Sequence, residues 1–223
     1  MGYLPVFLNL TGRDVLVAGG GAVALRKAES LLEAGARVTV VSPVFDPAFD
    51  TLAAAHPDRL RPVREPYTPR DLSPFFLAIA ATDDPAANAA VAADAERARV
   101  WVNVVDVPEL CTVLAAATFR RGPVQVAVCT GGECPALGRT LRDELAAACP
   151  ETLGDYAAAL GVERARLKRE CPDPALRARV LDHLARRETR DRLLCGTAGP
   201  LESRLREETG RFLGEDTPPA ARP

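Results

Sequence analysis

A strand, a glycine turn and a helix follow one another directly near the N-terminus, and this stretch most constrains the fold. The apolar run Val15–Ala18 is short enough for a buried parallel strand, and glycines occupy positions 19–21. A helical pattern then runs from Ala22 to about Ala34. Its predicted apolar face consists of Val23, Leu25, Ala28, Leu31 and Leu32. This layout lets a pyrophosphate approach the backbone, where the free amides of a helix N-terminus point at the anion.

The glycines match the dinucleotide-binding fingerprint G-x-G-x-x-G/A, read as Gly19-x-Gly21-x-x-Ala24. An ordinary tight strand-to-helix turn would give the same three glycines. A second strand at Arg37–Ser42 completes a βαβ unit of the expected size, and this context favours dinucleotide binding. The residues expected in the phosphate loop are Gly19, Gly21, Ala22 and Val23.

The residues after the second predicted strand bear on the choice of cofactor. NAD-binding sites often have an acidic residue there for the ribose hydroxyls, whereas a site for NADP has an arginine for the 2′-phosphate. This chain has Ser42-Pro43-Val44, with neither an acid nor an arginine. We therefore expect NAD as cofactor, with Pro43 and Val44 near its adenosine.

Alternating strands and helices predict an α/β fold with a Rossmann-like parallel sheet. Further strands are expected at 60–67, 75–81 and 100–105, with a helix from Pro85 to about Arg99. Three features follow, which are a β-hairpin of 112–119 and 124–128, a second glycine loop, and a helix over 135–148. The rest contains helical patterns only, at about 155–170, 174–190 and 200–213. The predicted domains are an NAD-binding domain (1–111), a dimerisation segment (112–150), a helical substrate-side domain (151–213) and a disordered tail (214–223).

Composition and charge exclude several classes of function. The net charge of −2 gives no case for a nucleic-acid partner. No apolar run approaches the ~18–20 residues that a membrane helix needs, and the N-terminus lacks the pattern of a signal peptide, so a cytoplasmic location is expected. The six cysteines are scattered through a chain without an export signal, which favours reduced thiols. They form no C-x-x-C pair, and the spacing of Cys129, Cys134 and a histidine fits no metal template, so we expect no metal site.

Taken in order, a set of short motifs resembles the precorrin-2 dehydrogenase and sirohydrochlorin ferrochelatase family, the N-terminal module of siroheme synthases. The motifs are Leu4–Phe7, Gly19–Ala24 with Arg26 and Lys27, Leu32–Ala36, Val38–Pro43, Ala78–Asp83, Asn103–Asp106, and Gly131–Gly132 with Pro135. The resemblance covers about residues 1–150 well, and the helical remainder only in length and character. It implies NAD-dependent oxidation of precorrin-2 to sirohydrochlorin, and some members of the family also insert ferrous iron.

The resemblance also implies a homodimer, because the segment matching 112–148 interlocks with its partner in the family. The residues support the same expectation, since a two-stranded hairpin is marginally stable alone. Asp106 occupies the place of the family's catalytic aspartate. From the residues alone, a cap of the turn at Val107-Pro108 is the favoured interpretation, although ligands do lie at the carboxyl ends of parallel strands. The resemblance reverses this preference.

Further candidates lie at the predicted ends of later strands and around the second glycine loop. Cofactor contacts are expected from Thr82, Asp83, Asn103 and Val104. Asp83 could instead help to cap the following helix. The substrate side is expected to comprise Thr130, Gly131, Arg120 and Arg139, where the arginines would meet the substrate's carboxylates and Thr130 could equally cap the loop.

One departure and one rival function remain at this stage. Many relatives have Asn-Phe and then Pro in the strand after the catalytic aspartate, where this chain has Val113 and Ala116. The rival function is a non-catalytic, NAD-sensing Rossmann module that regulates a partner. Such a sensor would need no carboxylate at Asp106 and no large pocket for an anionic substrate.

Overall fold

The computed structural model describes residues 2–197 and 199–215, which form two compact units. The first unit comprises the chain up to Ala115 together with Cys129–Cys134, and the second comprises Ala116–Val128 and the chain from Pro135 onward. The finer division predicted at residues 111, 150 and 213 stays a prediction.

A five-stranded, fully parallel sheet forms the centre of the first unit. Its strands are β1 (Asp14–Ala18), β2 (Arg37–Val41), β3 (Leu60–Val63), β4 (Leu77–Ala80) and β5 (Trp101–Val104). They are arranged in the order β3-β2-β1-β4-β5. The order reverses between β1 and β4, and such a switch point opens a crevice at the carboxyl ends of the strands. The predicted Rossmann-like fold is confirmed.

Helices cover both faces of this sheet. They are α1 (Ala22–Glu33), α2 (Ala48–Ala55) and α3 (Pro85–Ala98). Side chains of β1 alternate between the faces, so that Val15 and Val17 pack with α1 and α2, while Leu16 and Ala18 pack with α3. Because the central strands β1 and β4 are buried on both faces, their sequences show apolar runs rather than alternation.

The sequence predicted the buried face of α1 only in part. Ala24, Ala28, Leu31 and Leu32 are buried, whereas Val23 is exposed, and Leu25 is half-buried. The small side chain of Ala24 lets the first turn of α1 approach the sheet closely, which is the role of the third position of the fingerprint. Val23 therefore faces away from the core. Helix α2 was not predicted, and it begins where the Asp46 carboxylate accepts a hydrogen bond from the Ala48 amide (2.9 Å).

The second unit contains a hairpin followed by helices only. Its elements are β6 (Ala117–Arg121), β7 (Val124–Val128), α4 (Pro135–Ala148), α5 (Leu153–Glu170), α6 (Pro174–Ala185), α7 (Arg187–Cys195) and α8 (Leu201–Glu215). Helix α4 packs on both strands of the hairpin. Of the described helices, none is long and apolar enough to cross a membrane.

Strands β3 and β4 are shorter than the predicted 60–67 and 75–81. Two further differences in element boundaries are explained by hydrogen bonds. The predicted strand 112–119 begins only at Ala117, because the Thr112 hydroxyl accepts a hydrogen bond from the Val102 amide (2.7 Å) and holds this segment against β5. The predicted helix 174–190 breaks at Arg186, which is extended (φ −60°, ψ 141°). The Tyr156 hydroxyl donates to the Leu184 carbonyl (2.7 Å) there and satisfies a carbonyl at the end of α6.

The helices of the second unit bury a small core that also holds charges. Its apolar residues are Tyr156, Ala159, Leu167, Val180, Leu184, Leu193 and Leu205. The buried Glu208 carboxylate is paired with Arg192 (2.6 Å), His183 (2.7 Å) and Arg211 (3.0 Å). Its bond to Arg192 is the main cause that lowers the pKa of Glu208, against the opposing effect of burial. Helix α8 extends the predicted 200–213 helix to Glu215, and residues 216–223 of the predicted tail lie outside the described residues.

Candidate functional site

A cleft of about 660 Å³ lies in the first unit, at the carboxyl ends of β1, β2 and β4. Eight of the residues predicted to bind the cofactor line it, namely Gly19, Gly21, Ala22, Val23, Pro43, Val44, Thr82 and Asp83. The cleft occupies the switch point of the sheet, where ligands of doubly wound folds bind. The structure therefore brings together most of the predicted cofactor residues.

The three glycines of the loop have different roles. A Cβ at Gly19 (φ +122°) would lie 2.3 Å from the Ala81 carbonyl oxygen, and one at Gly20 would lie 2.1 Å from that of Val44. A Cβ at Gly21 would meet nothing within 4 Å and would project into the open space of the cleft. Gly19 and Gly20 thus allow backbone to pack on backbone, whereas Gly21 keeps the space before the helix free.

That space suits the pyrophosphate of a dinucleotide. The first intrahelical bond of α1 runs from the Leu25 amide to the Gly21 carbonyl (2.9 Å), so the amides of the first turn have no intrahelical acceptor. No side chain of Gly21 competes for them. Unpaired amides and the positive end of the helix dipole attract an anion to this position, and the chain's residues fit the group that the fingerprint implies.

Two residues that the sequence did not reveal also line the cleft, Asp46 and Tyr67. The Asp46 amide donates to the Gly20 carbonyl (2.8 Å), which places this residue against the glycine loop. The Tyr67 hydroxyl donates to the carboxylate of Asp94 (2.6 Å), which also accepts from the Arg70 amide (2.9 Å). Asp94 is 2% exposed, and burial of the Tyr67 hydroxyl, together with this bond, raises the pKa of Tyr67.

Helix α3 begins beside the cleft, and its capping residue is Asp84. The Asp84 carboxylate accepts from the Ala86 amide (2.8 Å). The Thr82 hydroxyl donates to the side-chain oxygen of Asn88 (2.8 Å), and the Asn88 amide donates back to the Thr82 carbonyl (2.9 Å). The capping role considered for Asp83 thus belongs to its neighbour, and exposed Asp83 lines the cleft.

Asn103 and Val104 are buried at the end of β5 rather than placed along the cleft. The Asn103 side chain donates to the Val113 carbonyl (3.0 Å). The Val104 amide donates to the sulfur of Cys111 (3.1 Å). Burial is the main cause that raises the pKa of the Cys111 thiol. These contacts hold the turn that follows β5.

That turn carries Asp106, which is exposed and has a left-handed backbone conformation (φ +60°). Aspartate tolerates this region better than most residues, and non-glycine residues held there cluster at functional sites. The Val105 amide donates to the Ala80 carbonyl (2.9 Å), so Asp106 follows the strand next to β4, whose end lines the cleft. The charge of Asp106 also acts on Lys27 of α1. The pKa of Lys27 is lowered mainly by burial and then by Arg26, and Asp106 opposes the shift.

The second glycine loop lies beside the same turn. A Cβ at Gly132 would lie 3.4 Å from ring atoms of Pro108, so the loop carrying Thr130 and Gly131 contacts the residues just after Asp106. The Thr130 hydroxyl accepts from the Cys134 amide (3.2 Å), which is the capping bond considered for it. Arg120 and Arg139 belong to the second unit, where they are exposed on β6 and α4.

Comparisons with known proteins agree with this geometry. A family model described as "Putative NAD(P)-binding" matches residues 6–117. A siroheme synthase of Azotobacter vinelandii (strain DJ) is 40% identical over 219 residues, which are 96% of this chain and 47% of that protein. A siroheme synthase of Salmonella arizonae is 44% identical over 170 residues, 76% of this chain and 37% of that protein. The chain thus spans about half, or less, of the length of these relatives.

A solved structure of a protein named "SirC, precorrin-2 dehydrogenase" has a similar fold. The TM-score is 0.74 at 25% sequence identity, and the similarity covers 95% of this chain and 100% of that one. Both the sheet and the helical remainder therefore have counterparts in a solved protein of similar length.

Proposed function

The chain belongs to the NAD(P)-binding family that includes siroheme synthases and precorrin-2 dehydrogenases, and we propose that it oxidises precorrin-2 to sirohydrochlorin with NAD. The similar proteins of known function are enzymes by name, which disfavours the rival function of a non-catalytic NAD sensor. The cleft at the switch point supplies the cofactor half of such an enzyme, and Asp106 supplies a base.

This reaction removes a hydride and a proton from the substrate. NAD, when bound, accepts the hydride. The residues around Gly21 hold the pyrophosphate through the amides of α1, and the proton needs a separate acceptor. A carboxylate at the carboxyl edge of the sheet can take that proton without occupying the cofactor's space.

The observation that carries the proposal is the position of Asp106. It is an exposed carboxylate in a strained backbone conformation. It follows β5, which pairs with β4, the strand whose end lines the cleft. Hydrogen bonds of buried Asn103 and half-buried Cys111 hold the turn, so the strain at Asp106 is maintained by its surroundings. We assign Asp106 the role of proton acceptor.

The substrate carries many carboxylates, and we assign Arg120 and Arg139 to pair with some of them. Both guanidinium groups are exposed, and guanidinium pairs with carboxylate through two parallel hydrogen bonds. Thr130 and Gly131 belong to a loop that contacts the turn after Asp106, which supports their assignment to the substrate side.

We also propose that the chain forms a homodimer through residues 112–148. Gly138 is the only buried residue of this segment, all of which is described, so the hairpin and α4 have no core of their own. Helix α4 exposes an apolar stripe of Leu137 (50% exposed), Leu141 (37%) and Leu145 (45%). A second copy of the chain would cover this stripe.

The name of the relatives favours testing ferrous iron as a second substrate. Within the described residues there is no group of three or more His, Cys, Asp or Glu side chains that could hold a metal ion. Iron insertion must remove two pyrrole protons, which the base that serves the oxidation could accept as well. The cytoplasmic location stays a prediction.

The proposal is tested by converting precorrin-2 with the purified protein and NAD, and following sirohydrochlorin by absorbance. Asp106→Ala should lower turnover by roughly 10²–10⁴-fold, as expected for loss of a positioned base. Asp106→Asn keeps the shape of the side chain and removes the base, so it should lower turnover to a similar extent. Glu109→Gln, an exposed carboxylate in the same turn, is the matched control and should retain turnover.

NAD affinity, measured by calorimetry, should stay nearly unchanged in both Asp106 variants. If folded Asp106→Asn protein retained wild-type turnover, the role of proton acceptor would be contradicted, and Asp106 would only stabilise the turn. Loss of NAD binding in both variants would instead assign it to support of the cofactor site.

A further inference from the structure

The residues that line the cofactor cleft carry charges of one sign only. The lining includes three carboxylates, those of Asp46, Asp83 and Asp84. Among the described residues, no lysine or arginine lines the cleft. The pyrophosphate of a dinucleotide is nevertheless accommodated, because backbone amides and the dipole of α1 meet it at Gly21. A further phosphate on the cofactor would lie away from these amides, and no basic side chain among the described lining residues would neutralise it.

Of these three carboxylates, that of Asp46 is nearest in sequence to Pro43 and Val44, which we expect to lie near the adenosine. It follows β2 after the turn Ser42-Pro43-Val44, and its amide is bonded to the Gly20 carbonyl (2.8 Å). In dinucleotide-binding folds, the ribose of the adenosine lies between the glycine loop and the residues after the second strand. The end of β2 itself has no acidic residue, but Asp46, five residues after Val41, lines the cleft.

The side chain of Asp46 is held in place but keeps accepting capacity. Its Oδ1 accepts from the Ala48 amide (2.9 Å), which fixes the carboxylate at the start of α2. Within residues 2–197 and 199–215, no other hydrogen bond or ion pair engages this carboxylate. Within the described residues, no cation is therefore paired with this negative charge beside the glycine loop.

Two cations approach this region without lining the cleft. The Arg70 guanidinium lies over the ring of Tyr67 (5.1 Å to the centroid) and is bonded to the Glu65 carboxylate (3.1 Å). The Arg64 guanidinium lies over the ring of Phe45 (5.2 Å to the centroid) and is bonded to the Asp50 carboxylate (3.1 Å). Because Asp50 and Glu65 offset these two charges, neither arginine is a free partner for an additional phosphate.

We propose that Asp46 is a specificity-determining residue, which makes the cleft reject NADP by placing a negative charge where the 2′-phosphate would lie. This inference rests on the proposed NAD-dependent function. The 2′-phosphate adds nearly two negative charges to the cofactor, and like charges held within one cleft repel each other. The free oxygen of Asp46 can instead accept a hydrogen bond from a ribose hydroxyl.

The experiment measures the equilibrium affinities for NAD and NADP by calorimetry, independently of turnover. Wild-type protein should bind NAD at least about 30-fold more tightly than NADP, and Asp46→Asn should reduce this preference about tenfold by strengthening NADP binding. Asn keeps the acceptor for the Ala48 amide, so the start of α2 is preserved. The matched control is Asp58→Asn, an exposed aspartate outside the cleft, which should leave the preference unchanged.

Ionic strength gives a second, independent measurement. Raising the salt concentration should reduce the preference of the wild type more than that of Asp46→Asn, because screening weakens only the part due to charge. Thermal melts confirm that the variants are folded.

The outcomes separate this inference from the proposed function. Equal wild-type affinities for the two cofactors, or an unchanged preference in folded Asp46→Asn protein, would overturn the role of Asp46. A parallel loss of both affinities in that variant would also overturn it, because Asp46 would then support binding rather than selection. Selective binding of NAD without conversion of precorrin-2 would contradict the proposed function alone.

Discussion

Replacing Gly21 by Asp should uncouple stability from cofactor binding. Gly21 has backbone angles open to any residue (φ −84°, ψ −176°), and a Cβ there would meet nothing within 4 Å. Asp is also a favourable residue at a helix N-cap, where Gly21 now stands without a side-chain bond. We expect the free energy of unfolding to change by less than about 1 kcal/mol, or to rise.

Binding of NAD should respond in the opposite way. The new carboxylate would compete for the amides of α1 and repel the pyrophosphate. Two like charges about 5 Å apart, at an effective dielectric constant of about 20, repel by about 3 kcal/mol, which corresponds to more than about 100-fold in affinity. Gly21→Asn has the same size and capping ability without the charge, so it should bind NAD at least about tenfold more tightly than Gly21→Asp.

Gly20→Ala is the complementary variant. Its Cβ would lie 2.1 Å from the Val44 carbonyl oxygen and 2.7 Å from the Ser42 hydroxyl oxygen, so the backbone must move. We expect a loss of about 1–3 kcal/mol in unfolding free energy, measured by urea denaturation. Near-wild-type NAD affinity in folded Gly21→Asp protein would refute the assignment of the pyrophosphate. Equal stability of the Gly20 and Gly21 variants would refute the distinct roles of these glycines.

Three further predictions concern other parts of the molecule. Leu141→Glu should raise the dimer dissociation constant by at least about 100-fold, because a symmetric interface loses two buried leucines. Light scattering that showed a wild-type monomer at micromolar concentration would contradict the proposed dimer. Tyr67→Phe removes the bond to buried Asp94 and should raise the KM for NAD severalfold with kcat unchanged, whereas a change in kcat alone would contradict a role at the cleft. Burial raises the pKa of Tyr156 to about 12, above its ordinary value, so the stability from its neutral hydroxyl is fully present below about pH 10 and is lost as pH rises towards 12. Urea denaturation of wild-type and Tyr156→Phe protein across this range should show a larger loss in the wild type, because the contribution of Tyr67, whose pKa is also raised by burial, is common to both.

Local patterns sufficed for the elements whose cause is local. The apolar run Val15–Ala18 and the glycines after it predict β1, the turn and α1, because strand length, backbone freedom and helix start are all local properties. The same holds for α4, whose bounds of 135–148 match the prediction. Half of the cofactor cleft could be located from the sequence for this reason.

The other half depends on contacts between distant residues. Tyr67 is held by Asp94 from 27 residues away, in an alanine-rich helix whose sequence gives no sign of a bonded carboxylate. Asp46 reaches the cleft only because the chain after β2 turns back onto Gly20. The break at Arg186 likewise depends on a hydroxyl from another helix, that of Tyr156. Such partners become visible only once the chain is folded.

The order of the strands has a consequence for the synthesis of the protein on the ribosome. Strand β1 is made first of the five, yet it pairs with β2 along one edge and with β4 along the other. About 60 residues separate Ala18 from Leu77, which takes roughly 3–12 s at typical rates of translation. During that time one edge of β1, a strand with four buried apolar residues, has no native neighbour, and unpaired edges are prone to associate with other chains. The nascent protein is therefore most vulnerable to aggregation before β4 emerges.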